Sequence, residues 1–403
     1  MGNSVTIVDS TRPEQVLCEL RRALDSGGPA ILPRPTPWGG QDKSYETERE
    51  LGGDYGGLGT DIVLIIETSG STGDPKRVAL DAQALRSSAT ASAAMLGGRG
   101  QWLLAVPVHY IAGASVLVRS LEAGTQPVFY QEQHFDAERF AASASAMTHE
   151  QRYTSLVPVQ LARLVTTIEA GSDLVTQAAR RFDGILIGGQ SLTAELGERA
   201  RRLGLRIHTT YGSSETAGGC VYDGVPFVTT SVRVRDGILE ISGPTLARGY
   251  VGDPIRTGET FHIENDGIRW YRTGDLGEIS NGIVTVTGRA DNVIISGGEK
   301  VLLDSVERVV REIHGFSEAV VIGGDDATWG QVPIVVVSLP TSAGADVLAT
   351  VRHRTGEHLG RAAAPARIVV VPEIPLLDTG KPDRVRLAAD HRRERHTEPP
   401  KTT

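Results

Sequence analysis

The sequence predicts a large α/β N-terminal domain that includes a β-rich subdomain, followed by a small, mobile α+β C-terminal domain. Three pattern changes predict this order. Short apolar segments alternate with helical ones from residue 102 to 210, which is typical of a largely parallel sheet. Short strands with glycine-rich turns follow from Phe227 to Thr287, and mixed helices and strands follow the boundary near Arg289. The predicted divisions are an N-terminal domain 1–288, a hinge 289–292, a C-terminal domain 293–389 and a disordered tail 390–403.

Charge and composition exclude several classes of protein. The 403 residues carry a formal net charge of −8, with 40% hydrophobic and 22% charged residues. We therefore expect a globular protein without a nucleic-acid surface. The chain has only two cysteines, Cys18 and Cys220, and no apolar run of membrane-spanning length. A cytoplasmic protein that inserts into no membrane is expected.

Local signals predict the elements in order. Pro13 near its start and a stripe of apolar residues predict a first helix capped near Thr11, and Asp81 predicts the cap of a helix reaching about Leu96. The segment from Pro33 to Gly59 is rich in glycine, proline and charge, so we expect a surface segment. The strands predicted next are Trp102–Val106, Pro127–Tyr130, Thr154–Val157, Gly184–Ile187 and Leu205–Thr209. The helices predicted between them are Ile111–Glu122, Phe135–Met147, Val159–Glu169 and Thr193–Leu203. The later elements predicted are Asp304–Ile313, Ala319–Gly323, Val332–Leu339, Ala345–Leu359 and Ala366–Val371.

A strand followed by a hydroxyl-rich loop is the main chemical signal. The apolar run Ile62–Glu67 predicts a buried strand, and the loop Thr68–Lys76 adds four hydroxyl side chains, two glycines and a closing lysine. Glycines let backbone N–H groups approach an anion, and a lysine supplies a point charge suited to phosphate. The spacing of a Walker A loop is absent. The alternative is a serine/threonine/glycine linker, but a linker rarely joins two strands in this way.

Four further motifs follow this loop in a fixed order. They are Tyr211–Thr216, Tyr271–Asp275, Gly288–Asp291 and Gly380–Lys381. Together with the loop they resemble the motifs of the acyl-adenylate-forming enzymes, the family of acyl-CoA synthetases and adenylation domains. The resemblance runs from Asp61 to Lys381.

The resemblance implies a set of roles for these residues, with ATP, Mg²⁺ and coenzyme A as cofactors. Lys381 would be the catalytic lysine, Glu215 a catalytic residue and Mg²⁺ ligand, and Asp291 the hinge. Asp275 and Arg289 would contact the ribose. The implied ATP-binding residues are Thr68, Ser69, Gly70, Ser71, Thr72, Gly73, Lys76, Gly188, Gly189, Gln190, Thr210, Tyr211, Gly212, Ser213, Ser214, Asp275 and Arg289. The residues implied to contact coenzyme A are Gly297, Gly298 and Lys300. Beyond them the chain departs from the family pattern, with Leu303 where a proline is usual and Ser305 where a glutamate is usual.

One segment, Pro107–Gly124, is similar to the acyl-pocket helix of the o-succinylbenzoate–CoA ligases, a branch of this family in menaquinone biosynthesis. It implies acyl-substrate contacts by His109, Tyr110, Gly113 and Arg119. Tyr110 occupies a slot where that branch usually has histidine, so either it or His109 would contact the substrate. Arg119 lies in an otherwise apolar helix, and a buried arginine needs an anionic partner. That partner is either a substrate carboxylate or a structural salt bridge.

These expectations describe a two-step ligase that forms o-succinylbenzoyl-AMP and then o-succinylbenzoyl-CoA. The alternatives are another acid–CoA ligase, an adenylation enzyme that loads a carrier protein, and a non-catalytic nucleotide-binding protein. The expected partners are small molecules, namely the acid, ATP and coenzyme A, with a homodimer as the candidate assembly.

Overall fold

The computed structural model describes residues 5–35, 61–68, 76–132, 134–338, 345–376 and 382–397. The chain forms two compact units. The first comprises residues 1–233, 240–273 and 279–284, and the second comprises 234–239, 274–278 and 285–403. Strands near residues 231–289 therefore contribute to both.

The elements up to residue 289 confirm the predicted alternation of strands and helices. In chain order they are β1 (Val5–Asp9), α1 (Pro13–Ser26), β2 (Ala30–Arg34), β3 (Ile62–Thr68), β4 (Lys76–Asp81), α2 (Ala82–Met95), β5 (Gln101–Leu104), α3 (Ile111–Ala123), β6 (Val128–Phe129), α4 (Ala137–Ser145), β7 (Arg152–Leu156), α5 (Pro158–Glu169), α6 (Asp173–Arg180), β8 (Gly184–Ile187), α7 (Ala194–Arg202), β9 (Ile207–Ser213), β10 (Gly218–Tyr222), β11 (Val225–Pro226), β12 (Ser231–Arg235), β13 (Ile238–Ser242), β14 (Gly249–Tyr250), α8 (Pro254–Thr260), β15 (Phe261–Ile263), β16 (Arg269–Ser280) and β17 (Ile283–Arg289).

The later elements form the α+β part of the second unit. They are β18 (Val293–Ser296), β19 (Glu299–Leu302), α9 (Leu303–Arg311), β20 (Val320–Asp326), β21 (Gly330–Val337), α10 (Ala345–Leu359), β22 (Arg367–Val370) and α11 (Arg384–Thr397). Their strands form one sheet in the order β19-β18-β21-β20, with β22 parallel to β21.

The first unit contains two sheets that position the candidate site. One has the order β1-β2-β3-β4-β14, and the other has the order β11-β10-β9-β8-β7-β5-β6. Strands β6, β5, β7, β8 and β9 are parallel, whereas β10 and β11 are added in antiparallel hairpins. The carboxyl ends of the parallel strands therefore meet at one edge of the sheet, where ligands bind in such folds.

Local signals explain several boundaries. Asp81 caps α2 as predicted, because its Oδ1 accepts a hydrogen bond from the backbone N–H of Ala84. Helix α3 ends at Gly124, whose φ of 66° is left-handed. The first helix begins at Pro13 with Arg12 at its cap, whereas the hydroxyl of Thr11 donates to Asp9 instead.

Two expectations are wrong in part, and one helix was not predicted. The predicted surface segment begins too early, because Pro33 and Arg34 lie in β2, which pairs parallel with β1 and β3. Residues 36–60 lie outside the described part. Helix α6 was not predicted, since it is only eight residues long. The tail expected to be disordered from Asp390 is helical to Thr397, because Leu387 and His391 are buried and give α11 a packed face.

A cluster of apolar side chains fills one face of the seven-stranded sheet. Phe140 of α4 is fully buried there and lies 5.7 Å from Phe182, ring centre to ring centre. The rings of Phe135 and Tyr130 pack on its other sides at 5.4 and 6.2 Å. No helix among the described residues is long and apolar enough to cross a membrane.

We predict that Phe140→Ala lowers the free energy of unfolding by about 3–5 kcal/mol, because it opens a cavity in a packed aromatic cluster. Urea unfolding would measure the change. Val228, whose side chain is 99% exposed, provides the control. Its replacement by alanine is expected to change stability by less than about 0.5 kcal/mol. Equal losses for the two variants would contradict the assignment of this core.

Candidate active site

The predicted phosphate loop joins two antiparallel strands. Thr68 ends β3, Lys76 begins β4, and the two residues pair directly across the hairpin. The loop residues between them, Ser69, Gly70, Ser71, Thr72 and Gly73, lie outside the described residues. The Lys76 ammonium lies 5.5 Å from the centre of the Tyr250 ring, within range of a cation–π interaction.

The second motif lies partly within a strand, not after one. Strand β9 was expected to end at Thr209, yet it continues through Thr210, Tyr211, Gly212 and Ser213. The hairpin with β10 extends it, with Ser213 opposite Gly218 and Gly212 opposite Gly219. A Cβ at Gly212 would lie 2.1 Å from the carbonyl oxygen of Gly218, so only glycine fits this close crossing.

The tight turn after β9 carries Glu215. Ser214, Glu215 and Thr216 form one turn of 3₁₀ helix, which ends at Ala217 with a left-handed φ of 52°. The Glu215 side chain is buried, and its Oε1 accepts a 2.9 Å hydrogen bond from the Tyr250 hydroxyl. The backbone N–H of Ala247 donates to the Glu215 carbonyl oxygen at 2.8 Å. The chain leading into β14 therefore positions both the backbone and the carboxylate of Glu215.

Tyr250 connects the two charged groups of this cluster. Its ring faces Lys76 and its hydroxyl donates to Glu215. Burial, and next the negative charge of Glu215, raise the pKa of Tyr250 far above its ordinary value. The hydroxyl therefore stays protonated at any working pH and remains a donor to the carboxylate.

The loop after β8 lies beside β9. Ile187 pairs with Thr209, and the Thr210 hydroxyl donates to the carbonyl oxygen of Ile187 at 3.2 Å. A Cβ at Gly188 would lie 2.7 Å from Thr210 Oγ1, and Gly189 has a φ of +82°. Gly188 therefore leaves room for the Thr210 hydroxyl, and the left-handed backbone at the next position favours glycine at 189. Gly188, Gly189 and Gln190 thus lie at the same edge as the glutamate turn.

The start of α3 lies at this edge too. His109 Nδ1 is 3.1 Å from the hydroxyl oxygen of Ser10, and the rings of His109 and Tyr110 are 4.1 Å apart. Tyr110 is the residue before the helix begins. A Cβ at Gly113 would lie 2.2 Å from the carbonyl oxygen of Pro107, so glycine lets the helix pack on its own leading loop.

Arg119 lies further along α3 and is 7% exposed. Its Nη2 donates to the Tyr222 hydroxyl at 3.2 Å, and its guanidinium carbon lies 4.8 Å from the centre of the Trp102 ring. Its Nε is buried without a hydrogen-bond partner, and no ion pair joins Arg119 to a carboxylate in the described part of the chain. The structural salt bridge considered from sequence is thus not seen there.

Helix α3 and strand β10 connect Arg119 to the glutamate turn. The Ser115 hydroxyl donates to the carbonyl oxygen of Ala217 at 3.4 Å, and Arg119 meets Tyr222 at the other end of β10. Ser115 and Arg119 are four residues apart, so they lie about one helical turn, or about 6 Å, apart along the axis. The guanidinium therefore lies on the helix face that begins beside the glutamate turn.

In the second unit, Arg289 is shared by two carboxylates. Its Nη1 donates to Asp275 at 3.1 Å, and its Nε and Nη2 donate to the two oxygens of Asp291 at 3.1 and 3.0 Å. Its hydrogen bonds to Asp291 raise the pKa of Arg289 above its ordinary value. Gly274 lies within β16 immediately before Asp275 and has a φ of +74°.

The two remaining predicted groups also belong to the second unit. Gly297 and Gly298, with φ of 57° and 86°, form the two-residue turn between β18 and β19, and Lys300 lies exposed on β19. Lys381 lies outside the described residues. The described residues that flank it in the chain, Leu376 and Pro382, form an antiparallel bridge.

Tyr250, Tyr222 and Ser10 were not predicted as site residues. Tyr250 is 35 positions from its partner Glu215, and Ser10 is 99 positions from His109. No local periodicity relates residues at such separations. The sequence gives a general indication only for the two tyrosines, because the hydroxyl of a buried tyrosine usually finds a hydrogen-bond partner.

Two protein-family models match separate parts of the chain. Residues 57–279 match the AMP-binding enzyme model, and residues 305–381 match the AMP-binding enzyme C-terminal domain. A probable 2-succinylbenzoate–CoA ligase of Mycobacterium tuberculosis is 36% identical, over 92% of this chain and 94% of that protein. The 2-succinylbenzoate–CoA ligase of Salmonella typhimurium is 30% identical, over 77% of this chain and 65% of that protein.

A solved structure agrees with these relatives. The o-succinylbenzoate CoA synthetase of Bacillus subtilis, in complex with its acyl-adenylate intermediate, has a TM-score of 0.71. It is 26% identical, and the alignment covers 92% of this chain and 80% of that one. The predicted fold class is confirmed, and the chain belongs to the AMP-binding enzyme family.

Proposed function

We propose that this chain is an ATP-dependent ligase that joins o-succinylbenzoate to coenzyme A. The observation that carries the proposal is the similarity, over nearly the whole chain, to a probable ligase of that substrate. The geometry of the first unit supports it, because a lysine, a tyrosine and a buried carboxylate meet beside the phosphate-loop strands. The buried Arg119 supports an acid with a second carboxylate.

The proposed reaction has two steps. In the first, the succinyl carboxylate attacks the α-phosphorus of ATP, the bond to the β-phosphate oxygen breaks, and pyrophosphate leaves. In the second, the deprotonated thiol of coenzyme A attacks the acyl carbonyl carbon, and AMP leaves with the oxygen that joined it to the acyl group. Lys381 would offset the negative charge that grows between carboxylate and α-phosphate in the first step.

Each unit contains residues predicted to contact the nucleotide. Thr68, Lys76 and the loop between them would cradle the phosphates, and Asp275 with Arg289 would bind the ribose. The edge formed by Gly188–Gln190 and Thr210–Ser214 would face the adenosine. Backbone N–H groups of glycine-rich turns and a lysine are suited to phosphate, and a carboxylate is suited to a pair of hydroxyl donors.

Glu215 fits the part of a single protein ligand to Mg²⁺. Mg²⁺ is commonly bound by one or two carboxylates together with substrate phosphates and waters. Glu215 offers a buried, oriented carboxylate, and no group of three or more metal-ligating side chains occurs in the described part of the chain. A bound Mg²⁺ would supply positive charge to the phosphates.

The acyl group would lie along α3. Gly113 lets the helix approach its leading loop closely, and His109 and Tyr110 stand at its start. Arg119 would hold the benzoate carboxylate, since its guanidinium is buried beside Tyr222 and Trp102. A charge in such a place is stabilised by an opposite charge that is itself withdrawn from water.

The thioester step would use the second unit. The hairpin turn Gly297–Gly298 and Lys300 would contact coenzyme A, and Asp291 would be the hinge of the domain 293–389. ATP and coenzyme A are small cytoplasmic metabolites, so this proposal places the reaction in the cytoplasm. A homodimer stays a prediction.

Tyr250→Phe tests the glutamate cluster. The change removes the donor to Glu215 but keeps the ring beneath Lys76. A hydrogen bond to a charged group contributes about 1.5–3 kcal/mol, so acid-dependent pyrophosphate release is expected to fall about ten- to a hundredfold. Tyr130→Phe is the matched control, because within the described residues that hydroxyl bonds to the nearby backbone at residues 134 and 136. An unchanged rate in Tyr250→Phe would show that the bond has no part in adenylation.

Lys381→Ala tests the catalytic lysine by separating the two steps. Adenylate formation, followed as pyrophosphate release, is expected to fall by several orders of magnitude because the developing charge loses its cation. Conversion of supplied acyl-adenylate and coenzyme A to thioester is expected to persist. Comparable loss of both half-reactions would count against the assigned role.

Arg119→Ala tests substrate specificity. Truncating one partner of a buried charge pair costs about 2–5 kcal/mol, so kcat/KM for o-succinylbenzoate is expected to fall about thirty- to several-thousandfold. Affinity for ATP is expected to change little. The loss should shrink for an analogue without the benzoate carboxylate, because no charge is then left unpaired. Equal losses on both acids, with a lower melting temperature, would identify Arg119 as a scaffold residue.

A further inference from the structure

The carboxylate of Asp304 lies in the first turn of α9 and links that turn to the segment that contains Arg289. Asp304 Oδ2 accepts a 2.8 Å hydrogen bond from the backbone N–H of Arg289. Its Oδ1 accepts a 2.8 Å hydrogen bond from the side-chain amide of Asn292. The N–H of Leu303, the neighbour of Asp304, donates to the Asn292 carbonyl oxygen at 3.1 Å. The turn 289–292 is therefore held at both ends.

Two neighbouring residues fit this arrangement. A Cβ at Gly288 would lie 2.8 Å from Asp304 Oδ2, so a glycine leaves the space that the carboxylate occupies. Arg384 places a guanidinium nitrogen 3.7 Å from Asp304 Oδ1 and donates to buried Glu307 at 2.7 Å. The Asp304 side chain is only 23% exposed, so water competes little for its oxygens.

The fixed turn determines where the Arg289 side chain lies. The backbone N–H of Ala290 donates to the carbonyl oxygen of Gly274 at 2.9 Å, which places the turn against the residue before Asp275. From there the Arg289 guanidinium reaches Asp275. Asp275 and Asp291 hold the guanidinium itself, whereas Asp304 holds the backbone from which the side chain reaches them.

We propose that Asp304 is a positioning residue for nucleotide binding. It fixes the backbone of residues 289–292 and so holds the Arg289 guanidinium beside Asp275. Asp304 itself contacts no nucleotide group and acts through Arg289. This inference rests on the proposed function, in which Asp275 and Arg289 bind the ribose of ATP.

A double-mutant cycle in the full-length chain tests it, with Mg-ATP affinity measured by calorimetry. Ordering one long side chain costs about 0.5–1.5 kcal/mol, so Asp304→Ala is expected to weaken ATP binding about two- to tenfold. KM for the acid is expected to stay unchanged. In an Arg289→Ala background, Asp304→Ala is expected to weaken ATP binding no further, because the side chain that it positions is gone.

Two further variants refine the test. Asn292→Ala breaks only one of the two bonds to Asp304, so a smaller loss than that of Asp304→Ala is expected. Glu318→Ala removes an exposed carboxylate from the same unit and is expected to leave ATP affinity unchanged. If Asp304→Ala does not fold, Asp304→Asn keeps one acceptor oxygen and is expected to give an intermediate loss.

The outcomes separate this inference from the proposed function. Equal losses from Asp304→Ala in both backgrounds would overturn the inference alone, as would unchanged ATP affinity in Asp304→Ala when Arg289→Ala weakens binding. If Arg289→Ala leaves ATP affinity unchanged, the ribose assignment fails and the inference fails with it. A lower melting temperature without a change in ATP affinity would make Asp304 purely structural.

Discussion

The hydrogen bonds of Glu215 to the chain around β14 are the constraint on which the candidate site of the first unit depends. Glu215 lies in the turn between β9 and β10 of the seven-stranded sheet, whereas β14 pairs with β4 of the other sheet. The bonds from Ala247 and Tyr250 therefore join the two sheets at one residue. Lys76 begins β4, so the same junction brings the end of the proposed phosphate loop close to Glu215. The proposed phosphate loop and the proposed metal ligand can act together only if this junction holds.

A second constraint is the burial of Arg119. Withdrawing a guanidinium from water costs free energy, which hydrogen bonds and an opposite charge offset. The described residues supply a tyrosine hydroxyl and an indole ring, both of which are uncharged. A substrate carboxylate would supply the opposite charge. The proposal for a dicarboxylic acid therefore follows from an electrostatic imbalance in the protein as well as from its relatives.

In the second unit, several acidic side chains accept hydrogen bonds from different groups of Arg289. Asp275 and Asp291 accept hydrogen bonds from its guanidinium, and Asp304 accepts one from its backbone N–H. Ribose hydroxyls that bind to Asp275 would compete with Arg289 for the same carboxylate. Because Arg289 also pairs with Asp291, the proposed ribose contacts and the proposed hinge share one ion-pair network.

The sequence by itself determined the fold class and most elements, because these depend on periodicity, caps and turns within a short window. It also predicted roles for Glu215, Asp275 and Arg289, since the motifs that contain them are contiguous and ordered, and these roles stay predictions. Only the tertiary structure decided that Tyr250 orients Glu215, that Tyr222 and Trp102 surround Arg119, and that Asp304 holds the Arg289 turn. It also decided that β9 continues to Ser213 and that α11 passes Asp390. The physical reason is the same in each case: strand pairing and side-chain packing join residues distant in the chain, and no local pattern records which partner will be close.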